Sequence, residues 1–207
     1  MISGENQEIR TRPCPDCCLC GTPGQLLYEG LEDRLFGSPG RWKLKKCPNP
    51  GCGLAWMDPM PIEEDIGKAY RTYYTHERET FLRRVSRGLY RIFRVFFGIE
   101  QRWRRAHLMY LDRMPPGRLL EIGCGDGQRL ALFKSCGWEV EGQEVDQKAA
   151  AQVFGRYGIK VHLGGIEHLG LREASYDAII MNHVIEHVHD PVGLLTECRR
   201  LLRPEGV

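Results

Sequence analysis

The sequence predicts an α/β protein, with a doubly wound, mainly parallel sheet preceded by a small cysteine-rich segment. From residue 117 onward, short apolar stretches alternate with stretches of helical periodicity. Strands separated by helices of this length pair in parallel through right-handed crossovers. Before residue 61, six of the nine cysteines lie among Gly and Pro with little helical periodicity, which is typical of a small domain organised by a metal.

Composition divides the 207 residues into three parts. Residues 1–61 form the cysteine-rich segment, residues 62–116 a helical linker or lid region, and residues 117–207 the α/β domain. A net charge of +2 gives no general argument for a nucleic-acid partner. The first twelve residues lack the apolar core of a signal peptide, and no apolar run is long enough to span a bilayer. We therefore expect a cytoplasmic protein.

Two cysteine pairs, each followed directly by glycine, lie near the ends of the first part. Between them, residues 25–28 and 41–45 have the composition of short strands. This arrangement is typical of a zinc ribbon, in which four thiolates hold a structural zinc ion and leave no open position for water. The predicted zinc ligands are Cys17, Cys20, Cys47 and Cys52.

Other interpretations of the cysteines stay open. The second pair is spaced more widely than the usual two residues, and Cys14-Pro-Asp-Cys17 is itself a ligand-like pair. Cys14 or Cys18 could therefore replace Cys17 or Cys20 as a ligand. Alternatively, all six cysteines could be reduced surface thiols.

The middle part contains an Arg- and aromatic-rich stretch at residues 81–97 with helical periodicity. Such a helix could contact a membrane surface or an anionic, lipid-like molecule. It could equally pack on its own domain with a solvated Arg face. No RNA-binding motif accompanies it, so we expect no nucleic-acid partner.

A glycine-rich turn follows the first strand predicted in the α/β domain. Residues 123–127, here called the glycine loop, read Gly-Cys-Gly-Asp-Gly before a helix. Glycines let the backbone approach a ligand, and a helix N-terminus presents free amides. The third glycine comes one residue too early for the dinucleotide fingerprint, which disfavours nicotinamide and flavin enzymes. Glu121 precedes the loop, and Glu144 ends the next strand, where an acid can bind a ribose diol.

Together with two further stretches, these residues resemble the class I S-adenosylmethionine (SAM)-dependent methyltransferases over residues 117–207. The stretches are Tyr-Asp-Ala-Ile-Ile-Met-Asn-His-Val-Ile-Glu-His-Val-His-Asp-Pro at residues 176–191 and Arg-Arg-Leu-Leu-Arg-Pro-Glu-Gly at residues 199–206. The resemblance implies a Rossmann-like methyltransferase sheet and SAM as cofactor. It implies a cofactor-binding set of Glu121, Gly123, Cys124, Gly125, Gly127, Glu144, Val145, Ile166, Asn182 and His183.

The resemblance also implies a role for each part of this set. The glycine loop would hold the methionine end of SAM, with Glu121 beneath it. Glu144 would bind the ribose hydroxyls, Val145 would lie against the adenine, and Ile166 would approach the adenine edge. The remaining two residues of the set, Asn182 and His183, would line the cofactor near its methyl group.

Histidine suits the proton transfer that many methyl acceptors require, because its pKa lies near the working pH. His187 is the predicted catalytic base, with Glu186 as its orienting partner. In the family that this sequence resembles, the Glu-His pair could be catalytic or structural. His183, Glu186 and His187 also resemble the divalent-metal site of some quinone-type O-methyltransferases, although His183 stands where those enzymes have an acid.

The resemblance implies methyl transfer to a small-molecule acceptor of sugar, lipid-linked or natural-product type. Val207 falls where the family's fifth strand begins, so we expect a sheet that is incomplete at the C-terminus, in a fragment or a shortened product. The alternative function is a non-catalytic interaction module in which the zinc ribbon contacts a partner. The identity of the acceptor and the oligomeric state stay open.

Overall fold

The structure is a computed structural model that describes residues 8–35, 37–69 and 105–207. Contacts divide the chain into two compact units, Met1–Glu79 and Thr80–Val207. The predicted amphipathic helix at residues 81–97 lies outside the described residues. Within the described parts of the chain, none of the helices combines the length and hydropathy that crossing a membrane requires.

The first unit contains short antiparallel strands and one helix. In chain order the elements are β1 (Thr11–Arg12), β2 (Gln25–Leu31), β3 (Trp42–Lys46), β4 (Ala55–Met57), β5 (Met60–Pro61) and α1 (Glu63–Ala69). The sheet order is β2-β3-β4, and β1 pairs with β5. Every residue of β2 is exposed, and the buried apolar or cysteine residues described in this unit are Ile9, Cys17, Cys47 and Pro61. So small a core provides little hydrophobic stabilisation.

The second unit contains a parallel four-stranded sheet in the order β8-β7-β6-β9. This topology confirms the predicted doubly wound α/β fold. The strand order reverses between β6 and β9, which is where open α/β sheets bind ligands. The elements are β6 (Arg118–Ile122), α2 (Gln128–Ser135), β7 (Glu139–Glu144), α3 (Gln147–Tyr157), β8 (Lys160–Leu163), β9 (Ala178–Met181) and α4 (Pro191–Leu201).

Helices cover both faces of this sheet because successive strand residues point to opposite sides. Leu119 packs with Phe133 of α2 and Val153 of α3 in one buried cluster. Its neighbour Leu120 packs with Leu194 of α4 in the other cluster. The result is a three-layered α/β/α unit whose strands end at a common edge.

A buried carboxylate joins the strands within the sheet. Glu141 in β7 accepts a hydrogen bond from Arg118 Nη2 at 2.7 Å and one from Tyr176 Oη at 3.1 Å, and its Oε2 lies 2.6 Å from His162 Nε2. Burial alone would raise the pKa of Glu141, but the hydrogen bonds from His162 and Arg118 lower it to about 2. The ionised carboxylate therefore connects β7 with β6, β8 and the residues before β9.

The outer edge of β9 is hydrogen-bonded to Val207. The Val207 amide donates to the Asp177 carbonyl at 3.1 Å, and the Val207 carbonyl accepts from the Ile179 amide at 2.8 Å. This alternation is the pattern of a parallel ladder. It occurs at the position where the sequence predicts the start of a fifth strand.

Candidate cofactor site and cysteine cluster

The glycine loop lies at the carboxyl ends of the parallel strands, where the connecting loops meet. The Gly125 amide donates to Glu144 Oε2 at 2.9 Å, which joins the end of β6 to the end of β7. A Cβ atom added to Gly123 would lie 2.6 Å from Val184 Cγ2, in the segment after β9. Only glycine permits this close approach, so the loop is in contact with the end of β7 and with the segment that follows β9.

Left-handed backbone conformations shape the glycine loop. Gly123, Gly125 and Gly127 have φ values of +63°, +52° and +70°, which favour glycine. A Cβ atom at Gly125 would meet no heavy atom within 4 Å, so open space borders the loop there. The Cys124 side chain is buried, and burial raises its pKa to about 12. The loop therefore offers main-chain groups to a ligand rather than a thiolate.

Backbone amides hold the Glu144 carboxylate in one orientation. Its Oε1 accepts from the Val145 amide at 2.8 Å and from the Asp146 amide at 3.1 Å, and its Oε2 accepts from Gly125. A carboxylate has about four acceptor positions. One position on Oε2 stays available to a ligand hydroxyl beside the open space at Gly125.

Glu121 is a buried acid at the end of β6. It is 3% exposed, and Arg129 Nη1 donates to its Oε1 at 3.2 Å. Within the described residues, Glu121 Oε2 and Arg129 Nε are buried without a hydrogen-bond partner. Burial raises the pKa of Glu121 to about 7, and Arg129 offsets only part of this effect. An unpartnered acceptor two residues before Gly123 fits a site that receives a cationic ligand group.

We expect Glu121→Gln to remove a pH-dependent loss of stability. Because the folded pKa of Glu121 is about 7 and its ordinary value is 4.5, the folded protein binds more protons between these values. Stability is therefore retained below about pH 4.5 and falls by about 3 kcal/mol as the pH rises to about 7. Denaturant unfolding at pH 5 and pH 8 should show a smaller fall in the variant than in the wild type. An exposed control, Glu205→Gln, should match the wild type, and an equal fall in Glu121→Gln would contradict the expectation.

The other predicted cofactor residues differ in accessibility. Val145 is 72% exposed and offers an apolar surface next to Glu144. Asn182 is exposed at the end of β9. Ile166, by contrast, is 2% exposed and packs with Leu120 in the apolar cluster under α4. Its side chain therefore serves packing, and only its main chain can border the site.

Glu186 lies between two histidines after β9. Its Oε1 is 3.2 Å from His183 Nδ1 and 3.9 Å from His187 Nε2. Residues Ile185–His187 form a 3-10 turn, and His183 adopts a left-handed φ of +55°. The predicted Glu186–His187 pairing is thus accompanied by a shorter contact to His183.

The two histidines and Glu186 do not form a compact set of metal ligands. A compact metal site needs at least three Cys, His, Asp or Glu ligand atoms close to one another. Within the described part of the chain, such a group, with all ligand atoms within 4.8 Å of one another, is formed by four cysteines. These cysteines are Cys17, Cys20, Cys47 and Cys52, the residues predicted from the sequence.

The cysteine cluster has the donor set of a structural zinc site. The Sγ atoms of Cys17 and Cys52 are 3.6 Å apart, and those of Cys20 and Cys47 are 3.4 Å apart. Thiolates that share a tetrahedral zinc ion, with bonds of about 2.3 Å, lie about 3.8 Å from one another. The residues therefore fit zinc. Cys14 is outside the group, and its amide donates to Asp58 Oδ1 at 2.7 Å.

Two polar residues outside the predicted site contact it. Gln143 bonds both the glycine loop and the loop after β8, and Arg129 pairs with Glu121. The sequence does contain a signal for Gln143. Glu141 and Gln143 are two residues apart and therefore lie on the same face of a strand that is predicted to be covered on both faces. Polar side chains there require buried partners.

Comparison with known proteins gives a consistent result for the second unit. A family profile described as a methyltransferase domain matches residues 120–207. A probable SAM-dependent methyltransferase of Mycolicibacterium smegmatis is 35% identical over 113 residues, which are 52% of this chain and 44% of that protein. A ubiquinone biosynthesis O-methyltransferase of Cereibacter sphaeroides is 34% identical over 96 residues, 44% of this chain and 38% of that protein.

The chain thus spans less than half the length of these curated relatives. A solved structure, a putative SAM-dependent methyltransferase of Methanococcus maripaludis, superposes with a TM-score of 0.47 and 12% identity over 63% of this chain and 64% of that one. Residues 120–207 thus match a methyltransferase domain profile, and the curated relatives that are similar to this chain are named as methyltransferases.

Proposed function

We propose that the protein transfers a methyl group from SAM to a small-molecule acceptor. The observation that carries this proposal is the hydrogen bond between Gly125 and Glu144, which places a fixed carboxylate beside open space at the glycine loop. A carboxylate in this place can accept hydrogen bonds from a ribose diol, while left-handed glycines let main chain approach the rest of the ligand.

In this proposal, different site residues contact different parts of the cofactor. The glycine loop and Glu121 receive the methionine end, where the unpartnered Oε2 of Glu121 can accept a hydrogen bond from the ammonium group. Glu144 holds the ribose, and the exposed side chain of Val145 contacts the adenine. Asn182 and His183 border the methyl group.

When bound, SAM supplies a methyl group activated by a sulfonium, so the protein has to align the acceptor and take up a proton. We assign the proton acceptor to His187, with Glu186 as its orienting partner. His183 shares the Glu186 carboxylate at a shorter distance. Single His183→Ala and His187→Ala variants, compared on an acceptor that the wild type methylates, would show which ring is required.

The proposed acceptor is a sugar, lipid-linked or natural-product molecule. The relative named as a ubiquinone biosynthesis O-methyltransferase supports an oxygen as the atom that is methylated. The four cysteines of the first unit are proposed to hold zinc in a structural role, because four thiolates complete a tetrahedral site and leave no position for a reacting group.

Calorimetric titration of the full chain tests the cofactor. We expect SAM and S-adenosylhomocysteine to bind with one site per chain and NAD to show no binding, because the glycine spacing does not suit a pyrophosphate. NAD binding without SAM binding would overturn the proposal. If neither ligand binds, the remaining function is the non-catalytic interaction module.

A further inference from the structure

Gln143 occupies a buried position between two loops of the site. It is the penultimate residue of β7, is 4% exposed, and lies next to Ile122 of β6 in the parallel register. Its Oε1 accepts from the Gly123 amide at 3.1 Å, and its Nε2 donates to the Gly164 carbonyl at 2.5 Å. One side-chain amide thus bridges the glycine loop and the loop after β8.

Main-chain bonds attach the same two loops to β7 independently of this side chain. The Cys124 amide donates to the Gln143 carbonyl at 3.0 Å, and the Gly164 amide donates to the Glu144 carbonyl at 2.9 Å. These bonds keep the sheet and the loop attachments when the side chain is replaced. The side chain adds a separate constraint, because it fixes the distance between Gly123 and Gly164.

We infer that Gln143 is a positioning residue that sets the separation of the two ends of the cofactor site. This inference rests on the proposed function, in which the glycine loop receives the methionine end and the loop after β8 borders the adenine. Gly164 has a φ of +115°, so the direction of its carbonyl depends on a conformation that favours glycine. The Gln143 donor holds that carbonyl in place.

The chemistry of the side chain restricts which residues can perform this role. A primary amide carries an acceptor and a donor on one planar group. An ionised carboxylate of the same size keeps the acceptor for Gly123 but faces the Gly164 carbonyl without a donor. Leucine has a similar volume and supplies neither bond. Gln143→Glu should therefore lose one contact and Gln143→Leu both.

Ligand titration of the full chain tests whether these two substitutions weaken cofactor binding. We expect Gln143→Leu to raise the Kd for SAM about tenfold, because the ligand must then order a loop separation that the two side-chain hydrogen bonds fix in the unliganded wild type. Gln143→Glu should raise the Kd at least as much, because its buried carboxylate would face the Gly164 carbonyl. A matched control, Gln152→Leu on the exposed surface of α3, should bind like the wild type. Melting temperatures of all three variants should show that the fold is retained.

A second ligand separates positioning from general damage. 5′-Methylthioadenosine lacks the amino-acid part of SAM and does not span both loops. Gln143→Leu should therefore weaken its binding less than it weakens SAM binding. Equal weakening of both ligands, or unchanged SAM affinity, would overturn the inference and leave the proposed function standing.

Amide hydrogen exchange gives a readout without ligand. The Gly123 amide should exchange faster in unliganded Gln143→Leu than in the wild type, since its acceptor is removed. Unchanged exchange at Gly123 would overturn the bridge itself. If the wild type binds no SAM while this exchange difference is present, the proposed function and the assignment of the bridge to a cofactor site fail together, and the bridge remains as a structural contact.

Discussion

Replacing Cys47 with serine is expected to release zinc from the cysteine cluster and to unfold the strands of the first unit. A hydroxyl is a poor replacement for a thiolate ligand, and structural zinc contributes roughly 10 kcal/mol or more to the folding of such small domains. The described apolar core of this unit is too small to compensate, because β2 is exposed along its whole length.

Elemental analysis and circular dichroism measure the two parts of this prediction. The wild type should contain one zinc ion per chain, and Cys47→Ser should contain close to none and lose part of its strand signal. Cys18→Ser and Cys14→Ser are matched controls, because both residues lie outside the four-sulfur group. Zinc loss in Cys14→Ser with retention in Cys47→Ser would contradict the assigned ligand set.

Replacing Glu144 with alanine should raise the Kd for SAM by about 10- to 100-fold. A hydrogen bond to a charged carboxylate contributes about 1.5 to 3 kcal/mol, and the available position on Glu144 Oε2 can accept one from the ribose diol. The substitution also removes the acceptor of three backbone amides, those of Gly125, Val145 and Asp146. The binding site at the glycine loop would then lose a polar contact to the ligand, and the loop would lose a hydrogen bond that fixes its conformation.

Calorimetry with SAM and S-adenosylhomocysteine measures this effect. The control is Glu139→Ala, since Glu139 lies at the opposite end of the same strand and its side chain is 70% exposed. It should bind both ligands with wild-type affinity. Wild-type affinity in Glu144→Ala, with the fold shown intact by its melting temperature, would remove Glu144 from the cofactor site.

The elements that the sequence predicted well are those with strong local signals. The first strand of the α/β domain was predicted to end at Ile122, and the structure has it at Arg118–Ile122. The last helix begins at Pro191, where Asp190 accepts a hydrogen bond from the Gly193 amide and proline occupies the first turn. Capping and the start of an apolar stretch depend on neighbouring residues, so the sequence contains the information.

Other features depend on tertiary contacts that the sequence does not display. Strand β4 is three residues long, too short for any periodicity, and it forms because β3 supplies its hydrogen bonds. Ile166 is predicted to approach the adenine edge, and its side chain packs in a cluster with Leu194 of α4, which is distant in sequence.

The geometry around Glu186 was equally difficult to predict. In sequence, His183, Glu186 and His187 resemble a divalent-metal site, but their spacing does not give the backbone conformation between them. The segment Ile185–His187 forms a 3-10 turn, and His183 before it is left-handed. A histidine with positive φ is uncommon, and residue-by-residue preferences do not predict it. The distances that decide which histidine Glu186 orients therefore came only from the structure.

The hydrogen bonds of the glycine loop have a consequence for binding thermodynamics. Three consecutive amides, those of Gly123, Cys124 and Gly125, donate to acceptors on residues 143 and 144 of β7. A glycine-rich segment would otherwise lose much conformational entropy when a ligand orders it. In this protein that ordering accompanies folding, so it does not oppose ligand association. Affinity at the loop then depends on the integrity of β7 as much as on the atoms that meet the ligand.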